Sequence, residues 1–241
     1  MPVEKKGPVA ILCGGRGTRL QERTQSIPKP LVEIGGHPIV WHVIRIYAAQ
    51  GFDRFLLLTG YKGEQIDAFV GAEPWPEGVD VRTVFTGNET PTGGRIRKAG
   101  DQLGEATFCV TYGDGVADID LAAELSTHRD HGLAATMTVV RPELPFGVTA
   151  LGTNGLVTGF HEKPRSEHWI NGGFFVFEPE VLDRLEENSV LEREPLEGLA
   201  ADGQLHAFRH EGFWDCMDTY KDAVLLNDLW EGPDPPWKVW D

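Results

Sequence analysis

Three glycines follow the first apolar run of the chain and could cradle phosphate groups. The run at residues 9–13 has the length and composition of a buried strand, and Gly14, Gly15 and Gly17 come directly after it. Because glycine has no Cβ, backbone N–H groups in such a loop can approach an anion closely. The pattern is not a Rossmann fingerprint, since Leu20 stands where the third glycine belongs, and no Gly-Lys-Ser/Thr follows to make a P-loop. On the glycines alone, an ordinary turn between a strand and a helix is the better interpretation.

Two positive charges change that interpretation. Arg19 lies within the loop, and Lys29 stands between Pro28 and Pro30. The proline rings restrict the backbone on both sides of the lysine, so it loses less freedom when it binds a ligand. The combination of open backbone and fixed cations predicts a site for a polyphosphate.

A carboxylate between two glycines is the candidate metal ligand. Asp114 follows an apolar run and lies between Gly113 and Gly115, at the point where a strand of a parallel sheet would end. Mg²⁺ usually takes one or two protein carboxylates and leaves its other positions to water and phosphate oxygens. Asp218 is the candidate for the second carboxylate. Its alternative interpretation is the N-cap of the helix that follows.

Composition excludes several classes of protein. The 241 residues include 22 Lys and Arg against 37 Asp and Glu, a net charge of −15, which argues against a nucleic-acid partner. No stretch is long and apolar enough for a membrane span, and the polar N-terminus lacks the apolar core of a signal peptide. The three cysteines are widely spaced, which argues against a zinc site or a disulfide framework. We expect a cytoplasmic protein.

Strand and helix patterns alternate along the chain and predict an α/β fold with a mostly parallel sheet. The pattern predicts strands at 9–13, 55–59, 79–86, 106–111, 134–140, 147–151, 156–162, 172–177 and 204–209. It predicts helices at 38–50, 62–70, 92–103, 121–131, 179–187, 195–202 and 222–230. We expect one domain over 1–241, with a nucleotide-binding part at about 8–145. The smaller β-rich part at about 146–241 would bind the second substrate and carry the C-terminal tail.

The motifs together resemble those of the sugar-1-phosphate nucleotidyltransferases, also called nucleotide-sugar pyrophosphorylases. Within that family the chain is most similar to the glucose-1-phosphate cytidylyltransferases. The resemblance covers nearly the whole chain and rests on residues 14–20, 28–30, 60–63, 92–95, 111–118, 170–176 and 212–214. It implies a Rossmann-like fold of the GT-A type, Mg²⁺ as cofactor and a homo-oligomer.

The resemblance also implies roles for individual residues. Arg19 and Lys29 would be catalytic, and Asp114 and Asp218 would hold the metal. The nucleotide would contact Leu12, Gly14, Gly15, Gly17, Thr18, Thr92, Gly93 and Arg95. The sugar phosphate would contact Tyr112, Gly113, Glu162, Lys163, Asn171, Gly172 and Trp214. Two alternatives stay open: Thr92 could simply cap a helix, and Lys163 could lie in an exposed turn.

The implied reaction joins a nucleoside triphosphate and a sugar 1-phosphate to give an NDP-sugar and pyrophosphate. The attacking phosphate is already ionised at neutral pH, so positioning and electrostatics should carry the reaction without a general base. CTP and α-D-glucose 1-phosphate are the expected substrates. Only residues 85–91 separate the third strand from Thr92, fewer than the resemblance implies, so GTP or dTTP with another sugar 1-phosphate remains open. A non-catalytic nucleotide-sugar sensor is a further alternative, although it should have lost Lys29, Asp114 or Asp218.

Overall fold

A computed structural model describes residues 6–15, 17 and 26–240. These residues form thirteen strands, β1 to β13 in chain order: Val9–Leu12, Glu33–Ile34, His37–Pro38, Arg54–Thr59, Asp80–Phe85, Phe108–Tyr112, Gly115–Ala117, Ala135–Val140, Val148–Leu151, Val157–His161, Ile170–Phe177, Leu205–Arg209 and Trp214–Cys216. Seven α-helices, α1 to α7, lie at Ile39–Ala49, Gly63–Ala72, Thr92–Lys98, Gly100–Leu103, Leu121–His131, Glu194–Ala201 and Tyr220–Glu231. Two 3₁₀ helices lie at Lys29–Leu31 and Pro179–Arg184.

Seven strands form one central sheet in the order β12-β8-β11-β6-β1-β4-β5. β1 lies between β4 and β6 and is parallel to both, and β5 and β12 are also parallel to their neighbours. β11 is antiparallel to both β6 and β8. The sheet is therefore mixed but mostly parallel, which confirms the predicted fold class. Strands from both expected parts of the chain share this one sheet.

Apolar side chains on the two faces of the sheet form two cores. Val9 and Ile11 of β1 pack into one core with helix α1, whereas Ala10 packs into the other with Ile96 of α3. This alternation follows from the two-residue period of a strand. Because both faces are covered, the binding residues are left at the edge where the strands end.

Most predicted elements are confirmed, and each difference has a physical cause. The predicted helix at 92–103 is two helices, broken at Ala99 next to Gly100, a residue of low helix propensity. The segment predicted as a helix at 179–187 is a short 3₁₀ helix. Strands β2, β3, β7 and β13 were not predicted, because each has only two or three residues. β2 and β3 pair with each other across the turn at Gly35 and Gly36, whereas β7 and β13 pair across a long stretch of sequence.

A directed chain of hydrogen bonds lies beside β8. The N–H of Leu133 donates to Nδ1 of His131, so Nε2 of His131 must carry the proton and donate to Oγ1 of Thr136. The Thr136 hydroxyl then donates to Nδ1 of His128, whose Nε2–H donates to Oε1 of Glu178 at 3.0 Å. Both histidines are neutral in this arrangement. Burial lowers the pKa of each.

A buried carboxyl group lies nearby under the same strand. Glu124 of α5 is 1% exposed, and Oε1 accepts a hydrogen bond of 2.6 Å from Oγ1 of Thr138. Burial raises the pKa of Glu124 from 4.5 to about 7, and the bond from Thr138 opposes that shift.

Candidate active site

The candidate site lies where three parallel strands end and an antiparallel strand begins. β1 leads into Gly14, β4 into Gly60 and β6 into Gly113. β11 runs the other way beside β6, so its first residues, including Asn171, lie at the same edge. A pocket at this edge brings together six of the predicted residues: Leu12, Gly15, Gly17, Lys29, Gly113 and Asp114. Cys13 and Pro30 complete its lining.

Lys29 lies between two carboxylates at the centre of the site. Its Nζ is 2.5 Å from Oδ2 of Asp114 and 2.6 Å from Oδ1 of Asp218. Burial alone would lower the pKa of Lys29, but the charges and hydrogen bonds of the two carboxylates outweigh burial and raise it above 10.5. The lysine is therefore fully charged at neutral pH.

Lys29 is held by a short hairpin and helix α7. It lies in the 3₁₀ helix that leads into β2, with prolines on both sides. The β2–β3 turn is tied to α7 because the N–H of Gly35 donates to Oδ1 of Asn227 at 2.9 Å. A Cβ at Gly35 would lie 1.8 Å from the ring of Trp230, so only glycine allows this close approach.

Asp218 directly precedes the same helix. Thr219 is the N-cap of α7 and forms a capping box with Asp222, so the alternative prediction that Asp218 caps this helix is wrong. The backbone N–H of Asp218 donates to Oδ2 of Asp222 at 3.0 Å, which fixes the start of the helix and with it the carboxylate. Helix α7 thus positions both the lysine and one of its carboxylates.

The two carboxylates fit a divalent metal ion. Asp114 and Asp218 converge on a single position, where the Lys29 ammonium shows that a cation is accepted. No cluster of three or more His, Cys, Asp or Glu side chains suited to a metal occurs among the described residues. Substrate oxygens and water would therefore have to complete the coordination shell, as is common for Mg²⁺.

Arg95 ties the glycine loop to the ends of the neighbouring strands. Its Nη2 donates to the carbonyl oxygen of Gly14 at 2.9 Å, and its Nη1 lies 2.9 Å from the carbonyl oxygen of Thr59 and 2.7 Å from Oγ1 of Thr86. A Cβ at Gly14 would lie 2.0 Å from the guanidinium carbon. The side chain is 4% exposed, and its hydrogen bonds go to the glycine loop and to the ends of the neighbouring strands. Its predicted contribution to nucleotide binding would therefore act through the loop.

Thr92 and Gly93 pack against a distant segment. The residue before helix α3 is Pro91, without a side-chain cap, so the alternative that Thr92 caps the helix is wrong. The Thr92 hydroxyl donates to Oε2 of Glu192 at 2.7 Å and accepts from the N–H of Leu191. A Cβ at Gly93 would lie 2.9 Å from the backbone oxygen of Ser189.

Tyr112 and Asn171 contact each other on the sugar side of the predicted site. Nδ2 of Asn171 donates to the hydroxyl of Tyr112 at 3.2 Å. Nε1 of Trp214 donates to the carbonyl oxygen of Gly172 at 2.7 Å, so the indole supports the strand. Four predicted residues therefore form one connected wall of the site: Tyr112, Asn171, Gly172 and Trp214.

The remaining predicted residues lie elsewhere. Glu162 and Lys163 follow β10 in an exposed loop and do not line the pocket beside Lys29. Lys163 has a φ of +44°, a backbone conformation that is rare for a residue with a side chain. Thr18 and Arg19 lie outside the described residues. Glu192, which contacts both Tyr112 and Thr92, was not predicted, because these partners are 80 and 100 positions away in the sequence.

Known proteins share this fold and sequence pattern. The family model described as "Nucleotidyl transferase" matches residues 9–215. The chain belongs to the nucleotidyl transferase family. A probable glucose-1-phosphate cytidylyltransferase of Bacillus subtilis is 43% identical, with 95% of this chain and 98% of the relative aligned. The glucose-1-phosphate cytidylyltransferase of Salmonella typhimurium is 40% identical, with 96% and 98% aligned.

A solved structure supports the fold independently. The crystal structure of HddC from Yersinia pseudotuberculosis has a TM-score of 0.73 over 93% of this chain and all of that chain, at 24% identity. The fold is thus of the GT-A-like type found in nucleotidyltransferases. Members of the family act on nucleotides and sugar phosphates and generally use a divalent metal. Among the described helices, none has the length and apolar character needed to cross a membrane.

Proposed function

We propose that this protein transfers a cytidylyl group from CTP to α-D-glucose 1-phosphate. A phosphate oxygen of the sugar phosphate attacks the α-phosphorus of CTP, and the bond from that phosphorus to the pyrophosphate oxygen breaks. The products are CDP-glucose and pyrophosphate. The observation that carries the proposal is the convergence of Lys29, Asp114 and Asp218 at the end of a glycine loop, in a chain 43% identical to a probable cytidylyltransferase over nearly its full length.

Electrostatics suggests a role for each residue of the centre and for two other predicted cations: Arg19, which lies outside the described residues, and Lys163, which does not line the pocket. Lys29 would contact the α-phosphate, where negative charge develops during an in-line displacement. Arg19 would contact the departing β- and γ-phosphates, and Lys163 would bind the phosphate of the sugar. Asp114 and Asp218 would hold Mg²⁺, which supplies positive charge to the phosphate oxygens when it is bound.

A substrate panel tests the reaction. The protein is incubated with Mg²⁺, each of CTP, GTP, dTTP, UTP and ATP, and a set of sugar 1-phosphates, and pyrophosphate release is measured. We expect the highest kcat/KM with CTP and α-D-glucose 1-phosphate. A preference for GTP or dTTP with another sugar would overturn the substrate assignment, and no release from any pair would favour a nucleotide-sugar sensor.

Variants test the centre itself. Lys29→Ala should lower kcat by at least about 100-fold, since it removes a preorganised positive charge from the reacting phosphate. Asp114→Asn should have a comparable effect through loss of the metal. Lys221→Ala removes an exposed lysine of helix α7 and is the matched control, which should retain wild-type turnover. Wild-type rates in Lys29→Ala would contradict the assignment.

We also propose that the protein forms a homo-oligomer through its β9–β10 hairpin. Phe160 lies opposite Thr149, and Leu151 lies opposite Val157, so three large apolar side chains share one face of the hairpin. All three are more than half exposed, and an isolated two-stranded hairpin is only marginally stable in water. With a net charge of −15, two copies would associate through apolar rather than charged contacts. Light scattering should give a multiple of 26.6 kDa for wild type and a smaller mass for Phe160→Ser.

A further inference from the structure

Glu192 makes a two-sided contact at the rim of the candidate site. Oε1 accepts a hydrogen bond of 2.6 Å from the hydroxyl of Tyr112, and Oε2 accepts one of 2.7 Å from Oγ1 of Thr92. Both bonds are short and involve a charged acceptor, so each is stronger than an ordinary neutral hydrogen bond. The carboxylate is exposed, yet both of its oxygens are committed to protein groups.

The contact to Thr92 belongs to a wider docking of one segment on the start of helix α3. The N–H of Gly94 donates to the carbonyl oxygen of Ser189 at 3.0 Å, and the N–H of Leu191 donates to Oγ1 of Thr92 at 2.9 Å. A Cβ at Gly94 would lie 2.0 Å from the backbone oxygen of Glu187. The absence of side chains at Gly93 and Gly94 therefore allows this close approach. The segment that starts at Glu187 places Glu192 at a fixed position.

The contact to Tyr112 reaches the opposite wall. The Tyr112 hydroxyl, which donates to Glu192, also accepts a hydrogen bond from Nδ2 of Asn171, and Oδ1 of Asn171 accepts one from the N–H of Gly173 at 2.8 Å. Gly173 has a φ of +84°, and a Cβ there would lie 2.5 Å from the Tyr112 ring. The side chains of Tyr112 and Asn171 are therefore fixed relative to each other, and Glu192 links them to Thr92 at the start of helix α3.

We propose that Glu192 is a positioning residue that couples the two substrate half-sites. One carboxylate oxygen holds Thr92 at the start of helix α3, which is expected to face the base. The other holds Tyr112, which belongs to the wall expected to face the sugar. The inference rests on the proposed function, because it concerns how the two substrates are aligned. An enzyme that joins two bound substrates depends on their relative placement, and a misplacement of about 1 Å can cost about 100-fold in rate.

Steady-state kinetics and binding together test this role. Glu192→Ala should lower kcat/KM for both substrates by about 10- to 100-fold. Glu192→Gln keeps the shape of the side chain and one acceptor oxygen. Its kcat/KM should therefore fall by less than about tenfold, which corresponds to the loss of roughly one hydrogen bond. Glu197→Ala, an exposed glutamate of helix α6, is the matched control and should stay within about twofold of wild type. Thermal melting establishes that each variant is folded.

Substrate coupling separates positioning from a general loss of structure. Calorimetry measures the affinity for a CTP analogue with a methylene bridge between the α- and β-phosphorus atoms, with and without saturating glucose 1-phosphate. We expect the sugar phosphate to change the affinity of the wild type for the analogue, and this factor to fall towards one in Glu192→Ala and to be largely restored in Glu192→Gln.

Three results would overturn the inference. Unchanged kcat/KM and an unchanged coupling factor in Glu192→Ala would show that the link has no role in alignment. A rise in the KM for the sugar phosphate alone, with the coupling factor intact, would make Glu192 a direct sugar ligand instead. A wild-type protein that releases no pyrophosphate with any substrate pair would overturn the proposed function and this inference together.

Discussion

Replacing Arg95 should test whether one buried side chain fixes the glycine loop. The guanidinium links three places in the fold: the loop at Gly14, the end of β4 at Thr59 and the end of β5 at Thr86. A hydrogen bond from a charged donor contributes about 1.5 to 3 kcal/mol, so these three bonds and a fourth to the carbonyl oxygen of Gly87 set a ceiling of about 6 to 12 kcal/mol. Because the variant no longer has to bury a guanidinium but leaves several buried oxygens without a donor, we expect Arg95→Ala to cost about 3 to 5 kcal/mol, well below that ceiling.

That cost should be visible in both stability and turnover. For a chain of this size a loss of 1 kcal/mol lowers Tm by about 2 to 4 °C, so we expect Arg95→Ala to melt about 10 °C below wild type. Differential scanning calorimetry and urea denaturation measure the loss. At a temperature where the variant is folded, kcat/KM should still fall, because the carbonyl of Gly14 loses its anchor.

Two further variants make the measurement specific. Arg97→Ala removes an exposed arginine from the same helix and should leave Tm within about 2 °C of wild type. Arg95→Lys keeps the charge but not the fork of donors, so it should lie between Arg95→Ala and wild type. An Arg95→Ala protein that melts with the Arg97→Ala control would refute the idea that the guanidinium holds the three strand ends together.

Three further changes test other buried groups. Burial raises the pKa of Glu124 to about 7, so the contribution of its carboxyl group to folding stability is full below about pH 4.5 and is lost as pH rises to 7. In urea denaturation, the free energy of unfolding of Glu124→Gln should therefore rise by about 3 kcal/mol relative to that of the wild type between pH 5 and pH 8. Thr136→Val breaks the chain to His128 and should cost about 2 kcal/mol at pH 8 by the same method. Because the pKa of His128 is lowered, its neutral ring stabilises the fold above about pH 6.5, and this contribution is lost at lower pH. The loss of unfolding free energy in Thr136→Val should therefore become smaller in acid. Gly14→Ala should reduce both Tm and kcat/KM, since its Cβ would overlap a guanidinium.

Local sequence signals predicted those elements whose cause is also local. Helix α5 begins and ends at the predicted residues because Asp120 caps its first turn and Gly132, with a φ of +63°, ends it. The central strands were equally clear from apolar runs such as that of β4. Strands β7 and β13, by contrast, exist only because residues about 100 positions apart pair with each other, and no local pattern signals that pairing.

The predictability of the candidate site also depended on whether the cause of each feature is local or distant in the sequence. The placement of Gly15, Gly17, Lys29 and Asp114 around one pocket could be anticipated, because each stands next to a strand end or between prolines, and their roles stay predictions. The roles of Arg95 and Glu192 could not, because they depend on which strand ends and loops meet in space. The same holds for Gly93 and Gly94, whose lack of a side chain serves a close approach of the segment at 187–189.

The charges at the centre predict that an anionic substrate binds together with a divalent ion. Lys29 with Asp114 and Asp218 carries a net charge of about −1, and the chain as a whole carries −15, so a triphosphate would meet repulsion at this position. A divalent cation held by the same carboxylates would make the centre positive. The two carboxylates that neutralise the lysine would then neutralise the metal, and the lysine would become available to the phosphate. We therefore expect metal binding to release Lys29 from Asp114 and Asp218 for contact with the phosphate.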